Sequence, residues 1–374
     1  MRVLVAPDKF KGSLTAREAA EAIVRGWTRA WPECLMNSHP VADGGDGTLE
    51  AVQEAMGARR CLATARDARG RAHNVPWLWD PSSQSAWIES SLVVGLAGLS
   101  ESERQPLTAT TAGLGDLVLA ATEAGAQRIF VALGGSATND AGCGMAATLG
   151  FGFLDSDDAP IEPLPANLAR LHHIQRPAAL PVATVTGLVD VGNPLLGPDG
   201  ASRVYGPQKG ASTVEVETLE QALRRVADIA RRDLHAPDPS TPGAGAAGGL
   251  GYGLMAFLGA DLRSGFEVIA EITGLQKAIE SADLVITGEG RLDAQTASGK
   301  APAGVARLAR ACGKPVIALA GSVPLTKEDH GAFDAVLPII NESMTLDQAM
   351  QQAAPLLAEA AARAARLVRL GKLL

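Results

Sequence analysis

Two lysines, Lys9 and Lys11, lie in a polar loop that directly follows the first apolar run of the chain. The loop reads APDKFKGS and places no aliphatic side chain next to either ammonium group. It leads into a helix whose N-terminus offers backbone N–H donors to phosphate or carboxylate. Each lysine alone could also be an ordinary surface charge. Anion binding is therefore predicted only in combination with other loops.

Acidic side chains occur in loops that follow other apolar runs. DGGDGT follows the second run, and TGEGRLD and a short AGS loop follow runs near the C-terminal end. In a doubly wound sheet such loops meet at the carboxyl edge of the strands, where ligands bind. A carboxylate there can contact a ligand, or it can cap a helix. The residues that would meet Lys9 and Lys11 around one crevice are Asp43, Asp46, Glu289, Arg291 and Asp293.

The middle of the chain carries two further polar loops. LGGSATNDAGCG stands between a strand and a helix, so that its glycines and hydroxyls could wrap an anion. VTGLVDVGNPL places Asp190 and Asn193 after another strand, where they could contact magnesium or a substrate hydroxyl. The pattern G-x-G-x-x-A occurs at 142–147 and at 251–256, but neither copy opens a clear β-α-β unit as dinucleotide binding requires.

The absence of several sequence motifs argues against several classes of enzyme. The sequence has no G-x-x-x-x-G-K-[ST], no G-x-S-x-G and no H-E-x-x-H, and no histidine lies in the glycine-rich loops. This argues against a P-loop enzyme, an α/β-hydrolase and a histidine-based transfer. Cations, carboxylates and backbone donors remain, and they suit phosphoryl transfer, which depends on positioning, charge neutralisation and magnesium.

Composition describes an ordinary globular protein. The formal charge of -8 argues against nucleic-acid partners, and 47% hydrophobic residues with 20% charged ones is typical of a globular chain. Four cysteines lie far apart without a C-x-x-C pair, as expected of reduced thiols. No signal-like segment begins the sequence, and the apolar runs are too short for a membrane span. We therefore expect a cytoplasmic protein with no membrane partner.

Apolar runs and helical periodicities predict two α/β domains. RVLVA, LMNSHPVA, ADLVITGEG, KPVIALAGS and AVLPII are strand candidates at the two ends. Residues 1–60 and 283–374 are therefore expected to form one discontinuous, doubly wound domain, and 61–282 an inserted mixed α/β domain, with the active site in the cleft between them.

The stretch PDPSTPGAGAAGGLGYG is expected to be a long loop that could act as a lid or hinge. The C-terminal helix should bury Leu356, Ala360, Ala364, Leu367 and Leu370 on one face.

Four motifs together resemble the bacterial glycerate kinases. APDKFKGSLTA, PVADGGDGT, LGGSATNDAGCG and TGEGRLDAQTASGK stand here in the order and form found in that family, and the similarity runs over essentially the whole chain. The alanine of NDAG replaces a glycine of many relatives. The resemblance implies two α/β domains, one Rossmann-like and built from both chain ends. It also implies magnesium-dependent transfer of the γ-phosphoryl of ATP to D-glycerate, mostly giving 2-phosphoglycerate, in the catabolism of organic acids.

The site residues are predicted from loop placement together with this resemblance. Lys9, Asp190 and Asp293 are the candidate catalytic residues, with an aspartate accepting the hydroxyl proton. Asp43, Asp190 and Glu289 are candidate magnesium contacts, and Arg291 could clamp the glycerate carboxylate. The residues expected to bind ATP or glycerate are Asp8, Lys11, Ser13, Gly44, Gly45, Gly134, Gly135, Ser136, Thr138, Asn139, Gly288, Arg291 and Lys300.

Other readings stay open at this point. A dinucleotide-dependent oxidoreductase of a small hydroxy acid could use the two G-x-G-x-x-A patterns, and a non-catalytic sensor of small acids would keep the lysines. The sequence leaves open whether the 2- or the 3-hydroxyl accepts the phosphoryl group, and whether the chain is a monomer or a homodimer.

Overall fold

Uninterrupted apolar runs form parallel strands at both ends of the chain in the computed structural model, which describes residues 1–180, 183–292, 301–323 and 333–372. The described strands are β1 (Arg2–Val5), β2 (Leu35–Ser38), β3 (Arg59–Arg66), β4 (Ala72–Asp80), β5 (Ser85–Glu89), β6 (Arg128–Ala132), β7 (Gly152–Leu154), β8 (His173–Gln175), β9 (Thr184–Val189), β10 (Asp261–Ser264), β11 (Leu284–Arg291), β12 (Val316–Ser322) and β13 (Ala335–Pro338). The described helices are α1 (Ala16–Ala30), α2 (Thr48–Met56), α3 (Ser90–Val94), α4 (Ala112–Glu123), α5 (Cys143–Thr148), α6 (Ala201–Tyr205), α7 (Thr213–Leu234), α8 (Ala246–Leu258), α9 (Gly265–Thr273), α10 (Leu275–Ser281), α11 (Ala301–Ala311), α12 (Leu346–Gln351) and α13 (Ala353–Gly371). None of these helices has the length and apolar character needed to cross a bilayer.

The backbone divides into two units. Unit 1 comprises residues 1–43 and 266–374, and unit 2 comprises residues 44–265. Both limits fall earlier in the chain than residues 60 and 282, the boundaries expected from sequence. At the first limit, α2 packs against β4 and β5 of unit 2. At the second, Phe266, Leu275 and Ile279 lie in the same apolar cluster as Val285 of unit 1.

Unit 1 is a doubly wound α/β unit. Its five strands are all parallel, in the order β13-β12-β11-β1-β2. Successive strand residues point to opposite faces. Val3 and Val5 therefore pack with α1 and α13, while Leu4 packs with α9, α10 and α11. Strand order reverses between β11 and β1, and this confirms the α/β fold expected from the buried apolar runs.

Helices α1 and α13 cross at a glycine. A β-carbon on Gly26 would lie well inside van der Waals contact of the Ala358 carbonyl oxygen. The clash would be between the backbones of two packed helices, and neither backbone can shift without a cost in free energy. Gly26→Ala is therefore expected to lower the free energy of unfolding by about 1–3 kcal/mol despite the better helix propensity of alanine. The measurement is urea unfolding, with Gly371→Ala as the control, since a β-carbon there meets nothing within 4 Å. Equal midpoints for the two variants would contradict the prediction.

Unit 2 is built on a mixed six-stranded sheet. The strand order is β10-β9-β6-β5-β4-β3, in which β3, β4 and β5 pair antiparallel and β5, β6, β9 and β10 are parallel. Apolar and polar side chains alternate in the segments RRCLATAR and AHNVPWLWD, as is typical of antiparallel strands, and the two segments pair as β3 and β4. One apolar cluster covers the sheet face with α4, and a second joins α5, α7 and α8 to the two-stranded sheet of β7 and β8.

Two expectations from sequence were wrong. The glycine-rich stretch from Ala246 onward is the buried helix α8, in which a left-handed turn at residues 247–249 precedes regular helix. Its glycines serve close packing, because β-carbons on Gly251 and Gly253 would run into the carbonyl oxygens of Gly243 and Ala141. At the other end, Leu367 and Leu370 of α13 are exposed although their spacing suggested burial.

Candidate active site

Three acidic side chains and a lysine gather at the carboxyl edge of the unit 1 sheet. Asp8 follows β1, Asp43 follows β2 and Glu289 lies near the end of β11, and these three strands are neighbours. All three acids are buried. Together with Lys9 we call them the acid cluster. It lies next to the point where the strand order reverses, which is where doubly wound sheets bind ligands.

The charged groups of the acid cluster act on one another. The Lys9 ammonium Nζ lies 3.4 Å from Asp43 Oδ1, and Asp8 Oδ1 accepts the backbone N–H of Lys9 at 2.7 Å. Burial, followed by repulsion from Asp43, raises the pKa of Asp8 to about 7, while Lys9 acts in the opposite direction. Glu289 adds a smaller upward effect. The cluster can therefore hold or release a proton at Asp8 near neutral pH.

The remaining predicted residues of unit 1 occupy different surroundings. Lys11 is exposed, and the Ser13 hydroxyl donates to the Phe10 carbonyl at 2.9 Å. The Gly288 carbonyl accepts the backbone N–H of Asp8 at 2.9 Å, which places this glycine beside the acid cluster. Arg291 ends β11 with an exposed side chain. Asp293 and Lys300 lie outside the described residues.

Unit 2 has its own polar edge, formed by the loops after its parallel strands. Glu89 ends β5, Gly134 follows β6 and Asp190 follows β9, and these strands are neighbours in the sheet. Burial raises the pKa of Tyr205, and the nearby charge of Asp190 raises it further. The Tyr205 hydroxyl donates to Asn193 Oδ1 at 2.8 Å. Asp190 thus lies within unit 2, close to the half-buried phenol of Tyr205.

Gly45 and Asp46 of the DGGDGT motif pack against the GGSATND loop within unit 2. Gly44 has a φ of +91°, and a β-carbon there would meet the Gly265 Cα at 2.5 Å. A β-carbon on Gly134 would meet the Gly45 Cα at 3.1 Å. One on Gly135 would meet Asp46 Oδ1 at 2.7 Å. The glycines that were predicted to bind ligand therefore also allow these two loops to touch.

Glu89 is a residue that sequence reasoning missed. Its buried carboxylate accepts the backbone N–H groups of Gly47 at 3.0 Å and Leu49 at 3.2 Å. It also accepts the Ser91 hydroxyl at 3.0 Å. Burial raises the pKa of Glu89, although these hydrogen bonds oppose that shift. Glu89 therefore holds the start of α2 in place, where Gly47 provides no side-chain cap.

Glu89→Gln is expected to destabilise unit 2. The amide nitrogen of glutamine cannot accept, so one N–H at the start of α2 faces a donor instead of a carboxylate oxygen. The loss of a buried charge-assisted hydrogen bond should lower the free energy of unfolding by about 2 kcal/mol. Urea unfolding measures this, with the exposed Glu50→Gln on the same helix as control. An unfolding curve for Glu89→Gln that overlays that of Glu50→Gln would show that the carboxylate does not hold α2.

The GGSATND loop, residues 134–140, is buried from Ser136 onward while Gly135 is exposed. Asp140 Oδ2 accepts the Thr111 backbone N–H at 2.9 Å and the Thr111 hydroxyl at 2.8 Å. Thr138 Oγ1 and Asn139 Oδ1 are buried without a hydrogen-bond partner among the described residues. Buried polar atoms are normally paired, so these atoms mark the loop as a place for a ligand.

Lys209 is a second residue that the sequence analysis missed. It ends a 3-10 turn (Pro207–Lys209), and its ammonium donates to the Ser136 hydroxyl at 3.2 Å and to the Thr138 carbonyl at 2.7 Å. One signal was available, because Lys209 is the single lysine between residues 44 and 265. The partner loop lies 71 to 73 residues away in the chain, so its burial could not be read from local pattern.

A magnesium site is not preformed within the described part of the chain. There, no group of three or more His, Cys, Asp or Glu side chains is arranged to hold a metal ion. Carboxylate oxygens are the ligands that magnesium prefers, but the carboxylates of the acid cluster are not arranged to hold a metal ion together.

Neither G-x-G-x-x-A pattern stands in a dinucleotide-binding context. The first, 142–147, begins at the residue before α5 and continues into that helix, and the second, 251–256, lies inside α8. A dinucleotide fingerprint instead forms the turn between a strand and the following helix. The oxidoreductase alternative is not supported.

Comparison with known proteins decides the family. The sequence model of the glycerate kinase family matches residues 3–369. The chain belongs to the glycerate kinase family. It is 40% identical over 361 residues to the glycerate 2-kinase of Escherichia coli strain K12, a match that covers 94% of each chain. The glycerate kinase of Bacillus subtilis strain 168 is 39% identical over 383 residues, covering 100% of this chain and 99% of that one.

A solved structure shares the fold. A crystal structure that carries the name glycerate kinase 2, from Salmonella typhimurium LT2, superposes with a TM-score of 0.85 at 39% identity and covers 100% of both chains. The resemblance to glycerate kinases drawn from four motifs is thereby confirmed, as is the prediction of a kinase with an α/β fold.

Proposed function

We propose that the chain transfers the γ-phosphoryl group of ATP to the 2-hydroxyl of D-glycerate, giving 2-phosphoglycerate and ADP. The observation that carries the proposal is the 40% identity to a glycerate 2-kinase over 94% of both chains. Magnesium enters as the counter-ion of ATP rather than as a resident metal. The reaction suits an enzyme of organic acid catabolism, and the lack of a bilayer-crossing helix in the described residues is compatible with a cytoplasmic location.

The residues of unit 1 would serve charge neutralisation. Phosphoryl transfer spreads negative charge over the oxygens of the moving group, so nearby cations lower its barrier. Lys9 is partly buried beside Asp43 and has 23% of its side chain exposed, so its ammonium can reach a ligand while the acids fix its position. Arg291 would bind the glycerate carboxylate, since a guanidinium fork matches a carboxylate in two parallel bonds. Asp43 and Glu289 would contact the magnesium that accompanies ATP.

The residues of unit 2 would bind anionic oxygens and accept a proton. The GGSATND loop combines glycines with buried hydroxyls, which suits phosphate. Asp190 would take the hydroxyl proton of glycerate as it attacks, because an aspartate near the nucleophile serves this purpose in other kinases. Asp293 stays a second candidate for that role.

The test is an ADP-release assay with D-glycerate, ATP and magnesium, followed by phosphorus NMR of the product. The proposal expects ADP release that depends on D-glycerate and a product phosphorylated at the 2-hydroxyl. A 3-phosphoglycerate signal would correct the position of transfer. A change in NADH with glycerate would favour an oxidoreductase, and binding without ADP release would favour a sensor. Asp190→Asn should lower kcat by about 10²-fold or more if Asp190 is the base.

A further inference from the structure

Lys209 is a buried charged residue of unit 2 that has no role in the proposed reaction as described above. The side chain is 3% exposed. The other positively charged side chains between residues 44 and 265 are arginines, apart from the histidines. The one lysine of this unit is therefore inside it, beneath the GGSATND loop.

The hydrogen bonds of Lys209 do not by themselves require a charge. Both acceptors, the Ser136 hydroxyl and the Thr138 carbonyl, are neutral groups that any donor could satisfy. An ammonium has three N–H donors, and the described residues supply these two acceptors. Burial lowers the pKa of Lys209 to about 7, and the charge of Asp140 only partly opposes this. Burial of the charged ammonium therefore costs the folded state stability.

Asp140 is the charged group that acts on Lys209, and it does not depend on the lysine for its hydrogen bonds. Its carboxylate accepts two bonds from Thr111 and one each from the backbone N–H groups of Gly142 and Gly144, both at 3.1 Å. A carboxylate with several such donors is well satisfied within the protein. The lysine is therefore not explained as a partner that Asp140 would otherwise lack.

The loop above Lys209 presents donors. The Ser136 hydroxyl accepts from Lys209, so its own hydrogen can point to another acceptor. The backbone N–H groups of Gly135 and Ser136 have no acceptor among the described residues. Thr138 Oγ1 is fully buried and has no partner there either. Because Gly135 is exposed and has a φ of +59°, the loop is open to a ligand at that residue.

We propose that Lys209 is a positioning residue that acts through the Ser136 hydroxyl and makes the GGSATND loop a binding site for an anionic oxygen of a substrate. The ammonium fixes Ser136 as a donor and adds positive charge beneath the backbone N–H groups. The anionic oxygen belongs either to a phosphate of ATP or to the carboxylate of glycerate. This inference rests on the proposed function for the identity of those two ligands.

The test is calorimetric titration of wild-type protein and of Lys209→Met with two probes, magnesium-ATP and D-glycerate, at pH 6.5. We expect the Kd of one probe to rise at least about tenfold, because a charge-assisted contact is lost. The Kd of the other should stay within about threefold. A rise for magnesium-ATP assigns the loop to phosphate, and a rise for D-glycerate assigns it to carboxylate. Two unchanged Kd values in a folded variant would overturn the proposal.

Matched variants separate positioning from structure. Lys277→Met removes an exposed lysine of unit 1 and should leave both Kd values unchanged. Ser136→Ala should weaken the same probe as Lys209→Met, and it keeps the test available if that variant fails to fold. The double variant should bind no more weakly than Lys209→Met, since residues that act through one another are not additive. Multiplying effects, or a rise of both Kd values with a lower unfolding midpoint, would contradict the proposal.

The binding readout is independent of turnover. Wild-type protein that releases no ADP with D-glycerate would contradict the proposed function, whereas the Kd comparison would still show whether Lys209 serves anion binding. Conversely, normal turnover with unchanged Kd values in both Lys209→Met and Ser136→Ala would leave the kinase in place and remove this role from Lys209.

Discussion

Lys9→Met is expected to lower kcat/KM for phosphoryl transfer by about 10³-fold, while Lys11→Met stays within about threefold of wild type. The two lysines stand two positions apart in one loop. From the sequence alone, both lysines are equal candidates for anion binding. The structure separates them, because Lys9 is part of the acid cluster, with its ammonium next to Asp43, and Lys11 is exposed.

The size of the expected effect follows from the charges around Lys9. Removal of the ammonium leaves the carboxyl groups of Asp8, Asp43 and Glu289 close together without the cation that now lies 3.4 Å from Asp43. ATP is itself an anion, so the variant both loses an attraction and keeps the repulsion. Preorganised charge in a site of this kind is the largest common contribution to catalysis.

Steady-state ADP release measures the effect, and far-UV circular dichroism with urea unfolding confirms that the variant is folded. Lys11→Met is the matched control, as it removes the same charge from the same loop. If Lys11→Met lost activity and Lys9→Met did not, the anion would bind at the exposed end of the loop. Similar losses in both variants would show that the loop acts through its overall charge rather than through one position.

The parallel sheet of unit 1 could be predicted because its strands carry their own signal. A strand buried on both faces reads as an uninterrupted apolar run, and RVLVA, DLVIT and VIALA have no other economical interpretation. Loops at the carboxyl ends of such strands then fall at one edge by topology. Asp8, Asp43 and Glu289 come together for that reason, and spacing along the chain would not have shown it.

Glycine-rich segments and single buried charges could not be predicted in the same way. Glycine permits both flexible loops and very close packing, so the stretch around Gly251 and Gly253 looked like a loop although it is a packed helix. Lys209 and Glu89 bond to loops that are distant in sequence, at separations of up to 73 and 42 residues. Their roles exist only once tertiary packing has placed those loops.

Lys209→Met should be at least as stable as wild type at pH 6.5, and its advantage should shrink as the pH rises. The pKa of Lys209 is lowered from 10.5 in the unfolded chain to about 7 in the fold. Below pH 7 the lysine is charged in both states, and the fold bears the full cost of the buried ammonium. Between pH 7 and 10.5 the folded state has released the proton while the unfolded state still binds it, so wild-type stability rises with pH.

The expected change is large for a single side chain. Between pH 7 and 9.5 the relief in wild type is on the order of 3 kcal/mol, and methionine, which does not titrate, gains nothing. Loss of the hydrogen bonds to Ser136 and Thr138 offsets part of the variant's advantage, by about 1 kcal/mol each. Replacement of buried charges by apolar side chains of similar volume is often neutral or stabilising for this reason.

Urea unfolding of both proteins at pH 6.5 and 9.5 measures the difference, and subtracting one from the other cancels the titration of the shared groups that do not interact with Lys209. A variant that is less stable by the same amount at both pH values would show that Lys209 keeps its proton in the fold at pH 9.5, as a well-solvated lysine does. A decreasing advantage together with weakened ligand binding has one physical explanation. The protein then bears the cost of a buried ammonium, and what that charge provides is the affinity of the GGSATND loop for an anion.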